Sequence, residues 1–209
     1  MKTTKIFCGA IVVLFLAVPV QLFAQRMYEH SETRFRFPEY LYLPPSGLVF
    51  ARTEIRQYPD KRLGVSVTYY NEIFRCFATL YLYTLGLAHL SDGPESDAVK
   101  MQFSASESNI FEYGKRGDYG DLKRASAPGE IFQPKSLFQS GASIPRFRMS
   151  TFEYVSDGDR RVSWLLLTGT RQHYLKIRYT CPATSAFRVE AAKTFLERLI
   201  TSFFEENRG

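Results

Sequence analysis

Metal binding and hydrolysis both need particular side chains within reach of one another, and this chain offers few. Its three histidines, His30, His89 and His173, stand far apart, and none has a second His or Cys at ligand spacing. His173, beside a turn, reads as a solvated residue at the start of a strand. Asp157-Gly158-Asp159 is too short for a calcium loop, because Arg160 and Arg161 follow where further acidic ligands belong. Ser140-Gly141-Ala142-Ser143 lacks the Gly-x-Ser-x-Gly elbow of a serine hydrolase, and no Ser or Cys has an identifiable His partner. The 21 acidic residues allow a carboxylate pair in a cleft, yet their spacing selects no pair. No metal and no cofactor is expected.

Anion binding is the other chemistry to weigh. Gly114-Lys115-Arg116-Gly117-Asp118-Tyr119-Gly120 is basic and glycine-rich. It follows a helical pattern instead of opening one, so it aims no helix N-terminus at a phosphate. It reads as a helix stop followed by a turn. A more promising set lies on strands: Arg146 and Arg148 on one, and Tyr174, Lys176 and Arg178 at one parity on another. Turned to one open face, these five form a basic patch with an aromatic member, suited to an anionic ligand or partner. The bland reading of the same residues is a charged, solvated sheet edge.

The three cysteines divide by position. Cys8 sits at the start of an apolar run, the wrong place for a lipid-accepting cysteine. That run, Ile6 to Val20, follows Lys2 and Lys5, is broken by Pro19, and leads to a small residue, Ala24. This is the three-part form of a secretory signal peptide over residues 1–24, cleaved on export. The run is too short to span a bilayer comfortably, which takes about 20 apolar residues; a retained anchor is the alternative, and after cleavage no integral membrane segment is expected. Cys76 and Cys181 remain. An even pair in an exported chain reads as one disulfide, the alternative being two buried thiols on separate strands.

Export also changes what the charge means. The 27 basic residues against 21 acidic ones give +6. Without Lys2 and Lys5 the 25 remaining basic residues leave +4, spread over turns and strand edges. A nucleic-acid partner is not expected. With 45% hydrophobic and 15% aromatic residues the chain is globular, and its 209 residues suffice for one domain.

Residues 25–47 form an extended N-terminal arm, since Pro38, Pro44 and Pro45 forbid a helix there. Residues 48–209 then make a single α+β domain. Alternation predicts six main strands: Leu48 to Arg56, Val65 to Tyr70, Phe74 to Tyr83, Arg146 to Val155, Val162 to Thr168 and His173 to Cys181. Shorter strand-like pieces lie around Tyr119 to Lys123 and Ile131 to Phe138. Pro94 to Asp97 opens a helix over 96–113 with a stripe of Val99, Phe103, Ile110 and Tyr113. A second helix over 186–204 repeats Phe195, Leu196, Leu199, Ile200 and Phe203, with Thr184 or Ser185 as its cap. Short turns demand antiparallel pairing. Strands apolar on both faces fit a sheet of about six strands between the two helices.

That order, with a last helix ending Leu199-Ile200-Thr201-Ser202-Phe203, resembles the PsbP-like group of exported α/β/α sandwich proteins. The sequence likeness is confined to Phe195–Phe203. The chain also resembles exported proteins of Gram-negative bacteria. The resemblance implies an accessory or binding module and carries no functional residue onto this chain. The expected function is therefore a non-catalytic periplasmic module that binds a protein or envelope component. A cell-envelope hydrolase or transferase using unidentified carboxylates is the first alternative. A membrane-surface protein using the aromatic arm, Phe35 to Leu43, is the second.

Overall fold

The computed structural model describes residues 35–43, 48–134, 145–183 and 189–207. The expected caps Thr184 and Ser185, the leader 1–24 and the Ser140 to Ser143 stretch lie outside them. In chain order the strands are β1 (Tyr40–Leu43), β2 (Leu48–Gln57), β3 (Val65–Asn71), β4 (Cys76–Tyr83), β5 (Gly120–Arg124), β6 (Glu130–Phe132), β7 (Phe147–Ser156), β8 (Asp159–Thr170) and β9 (His173–Pro182). Helix α1 (Asp97–Lys115) stands between β4 and β5, and α2 (Val189–Glu206) follows β9.

All strands join one antiparallel sheet in the order β1-β2-β3-β4-β9-β8-β7-β5, with β6 also paired to β7. The protein is thus mostly sheet, and nine strands replace the expected six. The three additions are short edge strands. Tyr40–Leu43 lies just after Pro38, and an edge strand tolerates a neighbouring proline because one side of it needs no ladder bonds. Strands β5 and β6 come from the two short pieces that the sequence left unattached. They share the outer side of the long strand β7.

Adjacent residues of a strand point to opposite faces, and the core divides accordingly. Cys76, Ala78, Leu80 and Leu82 of β4, Leu175, Ile177 and Tyr179 of β9, and Trp164 and Leu166 of β8 face α2. There they meet Phe195, Leu196, Leu199, Ile200 and Phe203, all buried. The opposite face carries Tyr83, Leu165, Leu167, Tyr174 and Phe152 against Val99, Phe103 and Ile110 of α1. Ser96 caps α1, its Oγ accepting from Val99 N at 3.3 Å. Gly114 falls inside the last turn of α1, and Gly117 (φ 85°) makes the turn after it.

The β7–β8 hairpin shows why its turn residues are there. Asp157 and Gly158 both take positive φ, 53° and 78°, the mirror-image turn that matches strand twist. At the far end of β8, Gly169 pairs with Gly93 through two backbone hydrogen bonds, Gly93 N to Gly169 O (2.8 Å) and Gly169 N to Gly93 O (3.1 Å). A Cβ at Gly169 would run into the carbonyl oxygen of Ser91. This close approach fixes the loop that leads into α1.

Of the described part of the arm, three side chains pack inward. Phe35, Phe37 and Leu41 are 7%, 9% and 2% exposed, which withdraws these three side chains from any membrane contact. Phe35 and Phe37 lie 5.9 and 5.7 Å from the Phe203 ring. Asn207 ties the arm to α2: its Oδ1 accepts from Arg36 N (2.7 Å), and its Nδ2 donates to Arg36 O (2.9 Å) and Phe203 O (2.7 Å).

Cys76 and Cys181 form a disulfide. They continue the β4–β9 ladder beyond Phe77↔Thr180, with their Cα atoms 4.3 Å apart, the spacing of a closely approached antiparallel pair. The position matters because β4–β9 is the seam between the two meanders, β1 to β4 and β7 to β9. Among the described residues no helix is long and apolar enough to cross a membrane.

Candidate functional site

Helix α1 lies over β8 and β5 and leaves part of its face of the sheet open above β4 and β9. The sheet register builds the floor in rows. Tyr81 of β4 lies beside Lys176 of β9, Thr79 beside Arg178, and Phe77 beside Thr180. On the β8 side, Lys176 adjoins Leu167, Arg178 adjoins Leu165, and Thr180 adjoins Ser163. The wall comes from one stripe of α1, Ser106, Asn109, Ile110 and Tyr113, at helical spacing. Tyr119 and Tyr154 close the end near β7, their rings 4.2 Å apart, with Tyr113 5.6 Å from Tyr119. The result is a cleft of about 330 Å³. Among the described residues no carboxylate and no histidine lines it.

Its charge comes from two cations on one strand. Lys176 and Arg178 are half-buried, and among the described residues neither is paired with a carboxylate. The Lys176 ammonium sits over the Tyr81 ring at 4.3 Å and 5.6 Å from the Tyr83 ring, the geometry of a cation–π contact. Burial, assisted by the nearby Arg178 charge, pushes its pKa down to about 8. Arg178 donates from Nε to Ser163 Oγ at 2.6 Å, and its guanidinium lies 5.7 Å from the Phe152 ring centre. Ser163 is fully buried and lies 2.7 Å from Thr180 Oγ1, so a hydroxyl pair steadies the guanidinium from below. Burial raises the Tyr81 and Tyr119 phenols above their usual range, so both remain O–H donors beyond the pH at which a free phenol ionises. Two cations and several hydroxyls thus converge between aromatic rings.

The five residues of the sequence-read patch meet different fates. Lys176 and Arg178 line the cleft. Tyr174 shares their face but is 3% exposed beneath α1, its hydroxyl donating to Ala98 O at 3.3 Å. Arg148 also shares that face, through Leu167. Its side chain holds the approach to α1 instead, donating from Nε to Pro94 O (2.9 Å) and from Nη1 to Gly129 O (3.3 Å), with Glu95 3.4 Å away. Arg146 is exposed just before β7. His173 turns to the α2 face, with its Nδ1 2.7 Å from Arg171 O and its ring 5.3 Å from Phe35.

The patch had omitted Phe77, Thr79, Tyr81, Ser163 and Thr180, together with the α1 stripe and the two wall tyrosines. One signal was present: the odd-numbered positions of β4 hold Phe77, Thr79, Tyr81 and Tyr83, more polar than the even-numbered Cys76, Ala78, Leu80 and Leu82. Tyr113, read as core, is instead 44% exposed at the rim.

No protein-family model matches the chain, and no curated protein matches it. Among solved structures, the crystal structure of CalU16 from Micromonospora echinospora aligns with 77% of this chain and 86% of its own, at 13% identity and a TM-score of 0.25. That superposition is too loose to bear on fold or function.

Proposed function

We propose that the protein is an exported, non-catalytic binding module of a Gram-negative envelope that takes the anionic group of a ligand or envelope component in the cleft above β4 and β9. One observation carries the reading: Lys176 and Arg178 stand two residues apart on a central strand, half-buried, with no carboxylate among the described residues to neutralise them. Like charges in a low-dielectric cleft are unfavourable until an anion joins them. The sheet bears that disadvantage on a central strand. The disulfide supports an oxidising compartment. The PsbP-like resemblance, read from element order and Phe195–Phe203, points towards an accessory role.

Binding of small soluble anions (acetate, inorganic phosphate and benzoate), followed by calorimetry, tests the reading. K176Q/R178Q removes two positive charges, so the matched control is K100Q/K115Q, which removes two exposed lysines from α1. The cleft variant is expected to bind these anions at least about tenfold more weakly than the control. Equal binding by the two variants would reduce the effect to net charge and remove the cleft from the account.

A further inference from the structure

The ligand of this cleft is not merely anionic; the walls narrow its chemistry. We propose that the cleft binds a small aromatic anion, with one carboxylate or phosphate seated between Lys176 and Arg178 and a flat ring laid among Phe77, Tyr81 and Tyr119. The inference rests on the anion-binding reading above and adds to it the size and the aromatic body of the ligand.

Size comes from the volume. About 330 Å³ lies at the lower end of small-molecule pockets and suits one or two fused rings, not a folded partner. The cations also lie on the floor, behind α1 and the wall tyrosines. A polyanion, whose charges recur along an exposed backbone, is normally met by cations on ridges and open grooves. Here it would have to insert one charge at a time.

The aromatic body follows from the lining. Phe77, Tyr81, Tyr113, Tyr119 and Tyr154 all border the cleft, and ring pairs prefer offset or edge-on contact at the spacings already seen between Tyr119 and Tyr154. The anionic head follows from Arg178. Ser163 holds its Nε at 2.6 Å from the β8 side, and a guanidinium so held recognises carboxylate or phosphate through its planar fork. Thr79, Thr180, Ser106 and Asn109 add neutral hydrogen-bonding groups around the head.

Isothermal titration calorimetry at pH 6.5 separates the two parts of the proposal. The probes are 2-naphthoate and 2-naphthyl phosphate (ring and charge), 2-naphthylmethanol (ring alone), and acetate and inorganic phosphate (charge alone). The expected result is that one or both charged naphthyl probes bind at least about tenfold tighter than naphthylmethanol and than the matching free anion, a difference of roughly 1.4 kcal/mol. Which head wins distinguishes a carboxylate from a phosphate ligand. K176Q/R178Q should lose that binding by tenfold or more while its circular dichroism spectrum is unchanged. Naphthyl probes no tighter than the bare anions would overturn the aromatic inference and leave anion binding standing. Naphthylmethanol as tight as the charged probes, undiminished binding by K176Q/R178Q, or no binding by any probe would overturn both.

Discussion

Replacing Cys76 and Cys181 together by alanine lowers the stability of the protein by about 4 kcal/mol, and its melting temperature by roughly 10 °C or more. The expectation comes from where the bond sits. The cysteines are 105 residues apart in sequence, and a cross-link over a loop of that length restricts the unfolded chain by about 4–5 kcal/mol in the loop-entropy view. Both side chains are buried, at 0% and 1% exposure. Alanine removes little volume there, so the loss falls mainly on the unfolded state. The bond also lies at one end of the β4–β9 seam, the only strand pairing that joins the two meanders among the described residues. Its removal leaves that long-range pairing to be closed by hydrogen bonds and packing alone. Equilibrium urea denaturation of the wild type and C76A/C181A measures the difference. A change below about 1 kcal/mol would show that the seam is set before the bond forms. The same burial predicts that reductant alone leaves the native bond intact and reduces it only once the protein is unfolded.

Lys176→Met is expected to act in the opposite sense, raising stability at pH 7 by roughly 2–3 kcal/mol while removing anion binding. Methionine keeps a long apolar stem for the Tyr81 ring and omits the charge. The pH dependence identifies the cause. In the folded protein Lys176 loses its proton near pH 8, whereas the unfolded chain holds it to about 10.5. Between those values the unfolded state binds the extra proton, so wild-type stability rises with pH across that window. Below it the protein carries the full disadvantage of a buried ammonium. The neighbours that set this environment are Tyr81 and Tyr83 from β4, Tyr174 and Arg178 from its own strand, and Leu167 from β8, with no carboxylate among them. Tyrosines bring the opposite slope at higher pH. Burial raises the phenols of Tyr69, Tyr83 and Tyr179, so the folded state holds protons that the unfolded chain releases above about pH 10. Wild-type stability should therefore rise from pH 8 towards pH 9.5 and fall beyond it, while Lys176→Met stays flat over the first interval. Urea midpoints at pH 7 and pH 9.5 test both statements. A variant less stable than wild type at pH 7 would make Lys176 a structural residue held by its ring contacts.

The hairpins and the helix stripes were legible because their causes are local. Asp157-Gly158 requires positive φ, and Phe195 to Phe203 repeats at helical spacing. The strand Tyr40–Leu43 was hidden by its proline flanks, which argue against a central strand and not against an edge. Strands β5 and β6 are too short to announce their partner, which is fixed by the length of β7. The cleft was half legible. Parity placed Lys176 and Arg178 on one face, but the open part of that face depends on how far α1 extends over the sheet. Arg148 and Arg178 show the limit clearly. Both are arginines on long strands, on the same face, and only the packing of the Pro94 and Gly129 loops turns one into a tether and leaves the other in the cleft. Ser163 carried no signal at all within an apolar strand.

The central claim, that the unneutralised pair Lys176 and Arg178 marks the floor of a ligand cleft, is tested most directly by amide chemical shifts during titration with 2-naphthoate at pH 6.5. The expected perturbations fall on Thr79, Tyr81, Tyr119, Arg178 and Thr180, with Leu199, Ile200 and Phe203 on the other face of the sheet unmoved. Shifts spread over both faces, or confined to residues away from β4 and β9, would contradict it.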